Sequence, residues 1–319
     1  MPWIILGFFM IILIGFREQV GGDWASYIRR FDSISSVTLQ KALGIGDPGY
    51  AYINWLMASW GWGIYGVNLV CAIIFTSGLI VFCRQQIYPW LAFAVAVPYL
   101  IIVVGMGYTR QAVAVGLFFF ALAYLERGQF KHYLVFILIA TLFHKTAVLM
   151  IPFGIFLYGK GIMLRVVGVI LVFVGAWYGL LAEEQENLWH NYVEVQMESQ
   201  GAKIRVFMNL VPSLFLLLYW KRWKQSFPNP MLWLWMALAS IVCFFMVGFA
   251  STAVDRMALY LIPIQVAVFS RLPYLAKKSF SVGAMTTGIV LGYTLVLFVW
   301  LNYASHAHYW VPYHNVIFQ

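Results

Sequence analysis

The chain has 319 residues, of which 63% are hydrophobic, 18% aromatic and only 10% charged, with a formal net charge of +9. A soluble domain carries about 25% charged residues, so charge this sparse cannot cover an aqueous surface, and the aromatic content excludes disorder. What remains is a polytopic membrane protein, in which the positive excess must be mapped along the chain before it is read as a nucleic-acid signal.

The first sixteen residues, MPWIILGFFMIILIGF, lack a basic opening and a small-residue cleavage site before Arg17, which predicts an uncleaved first span. The stretch 49–65, GYAYINWLMASWGWGIY, is rich in tryptophan, tyrosine and glycine, which suits the membrane–water interface and predicts an outward interfacial or re-entrant helix. Apolar runs follow at 67–83, 88–105, 111–125, 133–158, 164–182, 206–220, 231–250, 257–270 and 281–303. The long ones approach the roughly 20 residues a helix needs to cross the hydrocarbon. None alternates apolar and polar residues as barrel strands do. The run 133–158 is interrupted by Phe143-His144-Lys145-Thr146, which predicts two short helices meeting at a polar tip. Cys71, Cys83 and Cys243 lie within apolar runs without disulfide or metal spacing and are expected as buried apolar groups.

Charge sets the orientation. The basic clusters are Arg84; Arg127 with Lys131; Lys160 with Arg165; Lys221, Arg222 and Lys224; and Arg271 with Lys277 and Lys278. All face the cytoplasm, as basic loops prefer, only if 133–158 enters and leaves on one side as a hairpin and 49–65 does not cross. The expected fold is therefore all-α and polytopic, a single transmembrane domain over 1–319 with about eleven crossings. Its N-terminus is cytoplasmic and its C-terminus outside. Eleven Lys/Arg and one acid then lie inside, against nine Lys/Arg and ten acids outside. The outward loops 17–48 and 183–205 are expected to border the functional face.

The unusual polar residues sit on that face. Arg110, followed by Gln111 and preceded by Gly105 and Gly107, opens a helix, where an arginine fork and free backbone N–H groups suit a phosphate; a snorkelling arginine is the plainer reading. Arg17 and Asp23 flank a glycine pair, as an anion-binding arginine with a sugar-contacting acid or base, or as a salt bridge closing a turn. Asp47-Pro48 is either a functional acid or a helix cap. His144, with Lys145 beside it, tops the hairpin and can exchange a proton near neutral pH, or else bonds a neighbouring loop. Asp255-Arg256 is a further phosphate site or a local pair, and Arg205 opens another outward helix. The aromatic and histidine-rich tail from Tyr303 has no metal spacing and reads more simply as an interface belt. No nucleotide-binding glycine loop, metal-spaced carboxylates or nucleophile elbow occurs, so neither a cofactor nor a metal is expected, and nucleic acid is not a partner. Outward arginines around a membrane-level cavity are what a lipid-linked pyrophosphate requires.

Arg17-x-x-Val20-Gly21-x-Asp23-x-x-x-Tyr27, Asp47-x-x-Tyr50, Arg110-Gln111-x-x-Ala114 and Phe143-His144-x-Thr146-Ala147 follow one another in order. In this the chain resembles the EpsG/Wzy-type family of bacterial polysaccharide polymerases, most closely over its first half; the second half matches in hydropathy and at Arg256. It departs from the family pattern in Thr146, where serine is common, and in the glycine pair before Asp23. The resemblance implies a metal-independent glycosyltransferase in the bacterial inner membrane, acting on the outer (periplasmic) face. A growing glycan on undecaprenyl pyrophosphate is transferred to the non-reducing end of a newly flipped lipid-linked repeat unit, with a flippase and a chain-length regulator as pathway partners. Applied to these residues, Arg110 and Arg256 bind the pyrophosphate with Arg17 and Arg205 supporting, and His144 or Asp23 is the base. Gln111, Asp47, Tyr27, Tyr50, Lys145 and Asp255 contact substrate. A ligase-like transferase would use the same arginines with another acceptor. A transporter or flippase would place its charges near the bilayer midplane in related halves, whereas here they lie mostly at helix ends.

Overall fold

The computed structural model describes residues 1–159, 161–176, 201–249, 251–277 and 280–318. Helix α1 (Pro2–Gly15) has proline in its first turn, where the missing N–H is harmless, and runs into strand β1 (Arg17–Glu18). β1 pairs antiparallel with β2 (His314–Asn315), Arg17 opposite Asn315, so the C-terminal end of α1 is tied to the tail. The amphipathic helix α2 (Trp24–Ser35) buries Tyr27 and Ile34 and is followed by α3 (Leu39–Ala42) and α4 (Pro48–Ser59).

The expected interfacial helix at 49–65 is thus shorter than anticipated. It stops at Trp60-Gly61-Trp62, where Gly61 (φ +73°) and Gly63 (φ +62°) adopt conformations that side chains disfavour. Residues 63–65 belong instead to α5 (Gly63–Arg84), which is long and apolar enough to span a bilayer. Helix α6 (Pro89–Ala96) continues into a π-helical segment (Val97–Gly105), and α7 (Thr109–Glu126) is buried along most of its length. Helices α5 and α7 cross with their backbones touching: a Cβ on Gly78 would lie 2.0 Å from the Gly116 carbonyl oxygen.

The run 133–158 folds as the anticipated broken pair. Helix α8 (Phe130–Thr141) ends before His144, a 3-10 turn (Lys145–Met150) follows, and α9 (Ile151–Tyr158) returns. At about 1.5 Å per residue neither arm covers the roughly 30 Å of hydrocarbon. The arms pack on each other: the Tyr133 hydroxyl donates to the Met150 carbonyl, and Gly154 leaves room for the Tyr133 and Phe130 rings.

Helix α10 (Ile162–Ala176) completes the first part; residues 177–200, most of the expected loop 183–205, lie outside the described residues. Helix α11 (Ala202–Leu218) turns by 80° onto α12 (Trp220–Ser226). Helix α13 (Pro230–Met246) follows, then α14 (Ser251–Leu261), which bends by 44° onto α15 (Pro263–Ala276), and finally α16 (Val282–Tyr303).

The protein is a helical membrane protein, but one apolar run does not make one crossing. Among the described residues, α5 and α16 are individually long and apolar enough to span, and the bent pairs raise the number to four at most. Prolines and glycines divide the other runs into shorter helices, so the expected eleven crossings are not reproduced by length alone. Arg271, one of the basic residues assigned to the inner side together with Glu126, is buried against that carboxylate.

Candidate active site

The site forms where α2, α4, the start of α7, the hairpin tip, the start of α11 and α14 meet. Asp47 occupies the cap position of α4, yet its carboxylate makes no cap bond. It reaches instead to Arg110 in the first turn of α7, Oδ2 to Nη1 2.6 Å. The Asp47 side chain is 7% exposed and that of Arg110 30%, so the pair is anchored from below while part of the guanidinium stays accessible. Asp23, at the cap position of α2, feels the charges of Arg110 and Arg256, and so does His144 at the hairpin tip. Burial raises the Asp23 carboxyl above its usual range, with the two arginines opposing it. Burial first, then the same arginines, lowers the His144 imidazole to about 3, so it is neutral throughout the physiological range. Its Nδ1 lies 2.6 Å from the Thr146 hydroxyl and its ring 6.3 Å from that of Tyr260.

Tyr27 and Tyr50 line the α2–α4 side, their rings 5.8 Å apart, and the Tyr27 hydroxyl faces the backbone N–H of Arg110. The helix start therefore does not offer all its N–H groups to a ligand. Gln111 donates from Nε2 to the Arg256 carbonyl at 3.2 Å, locking α7 to α14, while the Arg256 side chain remains exposed. Lys145 follows His144 and is half-buried.

Two expectations are corrected by position. Asp255 pairs not with its neighbour Arg256 but with Arg205 across to α11, at 2.5 Å. The Arg205 guanidinium is 6% exposed, lies 5.3 Å from the Tyr99 ring and 5.9 Å from that of Tyr108, and also donates to the Tyr99 hydroxyl. Arg17 does not close a turn with Asp23. It is 1% exposed and donates to the Ile14 carbonyl (2.6 Å) and the Thr109 hydroxyl (2.6 Å), below the arginine cluster. Both arginines hold helix ends in place: Arg17 fixes the first residue of α7, and Arg205 fixes the start of α11.

Sequence reasoning overlooked Arg30, Tyr99, Tyr108 and Tyr260. Arg30 carried a signal, since Asp23, Tyr27 and Arg30 recur at the three- and four-residue spacing of one helix face, and its guanidinium lies by Gly46 and within electrostatic reach of Asp47 and Arg110. Tyr108 was visible only as the neighbour of a marked arginine. Tyr99 and Tyr260 lie in apolar runs that give no hint of a polar role.

The tail closes the edge of the site. The Gly21 N–H donates to the Tyr309 carbonyl at 3.0 Å, and Trp310 Nε1 donates to the Ile102 carbonyl at 2.8 Å. The Trp310 ring lies against Gly107, where a Cβ would come within 2.4 Å of it. No group of three or more histidine, cysteine, aspartate or glutamate side chains suited to a metal occurs among the described residues. The cluster thus gathers accessible guanidinium groups, a carboxyl of raised affinity for protons and a neutral imidazole at one end of a helical bundle.

The EpsG family model matches residues 1–315. No curated protein and no solved structure matches the chain.

Proposed function

The chain belongs to the EpsG family, and from that premise we propose that it is a membrane glycosyltransferase polymerising undecaprenyl-pyrophosphate-linked repeat units on the periplasmic face of the bacterial inner membrane. Membership gives the coarser statement, a role in making polysaccharide in a membrane. The observation that carries the finer one is the convergence of Arg110 and Arg256 on Asp23 and His144 at one helix-end site.

In this reading, Arg110 and Arg256 bind the pyrophosphate of the donor. The hydroxyl of the acceptor sugar attacks the anomeric carbon, and the bond from that carbon to the pyrophosphate oxygen breaks. The leaving group takes the electron pair, and preorganised guanidinium groups stabilise the charge as it develops. The proton of the attacking hydroxyl passes to Asp23, whose raised proton affinity suits a base better than an imidazole lowered to about 3. His144, neutral and held by Thr146, presents a hydrogen-bonding edge to the sugar. Asp47 and Tyr27 orient Arg110, and Gln111 orients α14; Tyr50, Lys145 and Asp255 complete the walls. Arg17 and Arg205 support the site from behind.

An apolar groove of about 690 Å³ between α11, α15 and α16 supports a polyprenyl substrate. It is lined by Ile204, Phe207, Phe215, Phe269, Gly288 and Val296 among others, and Ile204 is next in sequence to Arg205. The isoprenoid chain then lies in lipid-facing space while its pyrophosphate reaches the arginines.

The test is reconstitution of purified protein in liposomes with lipid-pyrophosphate-linked repeat units. A ladder of lengthening glycans is expected. Transfer to a different acceptor such as lipid A, without a ladder, would favour a ligase; proton-dependent flux without any glycan product would favour a transporter. The proposed face is tested separately by labelling Lys145→Cys, which should react from the periplasmic side.

A further inference from the structure

Helix α7 carries Arg110 in its first turn and Glu126 at its last residue, about 24 Å away at 1.5 Å per residue. Glu126 forms a second polar centre at that far end. Its Oε1 accepts from Arg271 Nη2 at 2.7 Å and from Trp233 Nε1 at 2.8 Å, and Arg271 Nε donates to Gln86 Oε1 at 3.0 Å. Arg271 is 4% exposed and its guanidinium is boxed by the rings of Trp223, Phe227 and Trp233 at 5.3, 5.0 and 5.2 Å. Such a box fixes the direction of every N–H on the fork.

The fork is nevertheless incompletely used. Arg271 Nη1, Gln85 Nε2 and Trp223 Nε1 are buried and have no hydrogen-bond partner among the described residues. All three are donors, and a buried donor without an acceptor is disfavoured. Arg271 and Gln85 line a cavity of about 500 Å³, walled also by Glu126, Arg127, Phe227 and Tyr274 among others. Glu126 balances Arg271, and its Oε1 is already shared by two donors. Arg127 adds a second positive charge at the cavity wall, so the lining is left positive, with donors facing no acceptor.

We propose that this cavity is a phosphate-binding site, distinct from the arginine cluster at the opposite end of α7, in which Arg271, Gln85 and Arg127 hold the phosphate oxygens. A group with several acceptor oxygens satisfies donors that a single carbonyl cannot. Two sources present this chemistry: the headgroup of an anionic phospholipid in the adjacent leaflet, and a soluble phosphate. Occupation cross-links α5, α7 and α15 at the end away from the polymerising site.

The test uses the full-length protein, delipidated in detergent. Thermal unfolding is followed while inorganic phosphate is added at constant ionic strength, and native mass spectrometry is used to detect retained phosphatidylglycerol. Both measurements are repeated on Arg127→Gln and Gln85→Leu, which leave the Arg271–Glu126 pair intact, and on Arg110→Ala. Saturable stabilisation by phosphate that is weakened about tenfold in Arg127→Gln and persists in Arg110→Ala supports the site with a soluble ligand. Retained phosphatidylglycerol that is lost in Arg127→Gln and Gln85→Leu supports it with a lipid ligand. Neither probe binding wild-type protein, binding insensitive to positions 85 and 127, or binding lost in Arg110→Ala overturns the proposal.

Discussion

Arg110 and Asp47 stand 63 positions apart in the chain and meet at 2.6 Å. The contact joins the first turn of a deeply buried helix to the cap of a peripheral one, and it decides how a partly accessible arginine of the site is aimed. Asp47 takes one Nη group, so the remaining edge of the guanidinium is directed at whatever enters.

Asp47→Asn should therefore reduce catalysis more than it reduces folding. Loss of the aiming charge is expected to lower kcat/KM for glycan extension by about 10–100-fold, with Asp47→Glu partly restoring it. Arg110→Ala removes the ligand itself and should cost at least about 100-fold in kcat. Chain extension assayed with purified lipid-linked repeats checks both; near wild-type rates in a folded Arg110→Ala would remove the pyrophosphate role.

The two candidate bases make opposite predictions for pH. Burial raises Asp23 above its ordinary 3.8, so it gains a proton as pH falls through a window above that value. His144 is lowered from 6.5 to about 3 and does not titrate near neutrality. The acid limb of kcat/KM should lie above 3.8 and disappear in Asp23→Asn, while His144→Gln lowers the rate without moving the limb. A limb near 6.5 that vanishes in His144→Gln would transfer the base role to His144.

The same shifts bear on stability, with opposite signs. His144 binds a proton more readily unfolded than folded, so between about 3 and 6.5 its contribution to stability falls as pH falls. Asp23 binds a proton more readily folded, so its contribution falls as pH rises through its window. Thermal unfolding below pH 6.5 should accordingly show a smaller acid loss in His144→Gln than in wild type.

The Arg205–Asp255 pair is a structural device and should respond as one. Asp255→Asn leaves a buried guanidinium short of its counter-charge and is expected to cost about 3–5 kcal/mol. Replacing both partners with apolar residues, Arg205→Met with Asp255→Leu, should recover most of that loss. Denaturation of the single and double variants distinguishes this from a purely catalytic role, which would leave the midpoint of Asp255→Asn unchanged.

At the tail, Gly107→Ala should displace Trp310, because no Cβ fits at 2.4 Å from its ring. Trp310→Ala should relieve the clash, so the two substitutions together should cost less than their sum. Additive losses in unfolding midpoint and extension rate would show that the tail does not bear on the loop before Arg110.

What the sequence disclosed follows from the range of the forces involved. The break at His144 was visible because four residues interrupt an apolar run, a local signal that no distant contact overrides. The α2 face of Asp23 and Tyr27 was equally local, and Arg30 could have been added from the same spacing. The exchange of partners that sends Asp255 to Arg205 was hidden, since neighbours in sequence compete with groups some fifty positions away and only packing decides. Tyr99 and Arg271 were hidden for a related reason: in an apolar run, a tyrosine reads as filler and an arginine as a boundary marker. Helix length among the described residues does not reproduce the count of eleven, because hydropathy measures what a segment dissolves in, and a short or bent helix dissolves as well as a straight one.

The touching backbones of Gly78 and Gly116 have a mechanical outcome. Two helices in contact without intervening side chains have no lubricating layer over which to slide, so α5 and α7 form a fixed jaw. Thr109 and Arg110 ride on that jaw at a constant height. On the proposed polymerase reading, room for a lengthening glycan would then be sought on the opposite side, at the hairpin tip and the bent α14–α15 pair. The enzyme would work as a vice with a single moving cheek, and the anvil that meets the pyrophosphate would be the part that never shifts.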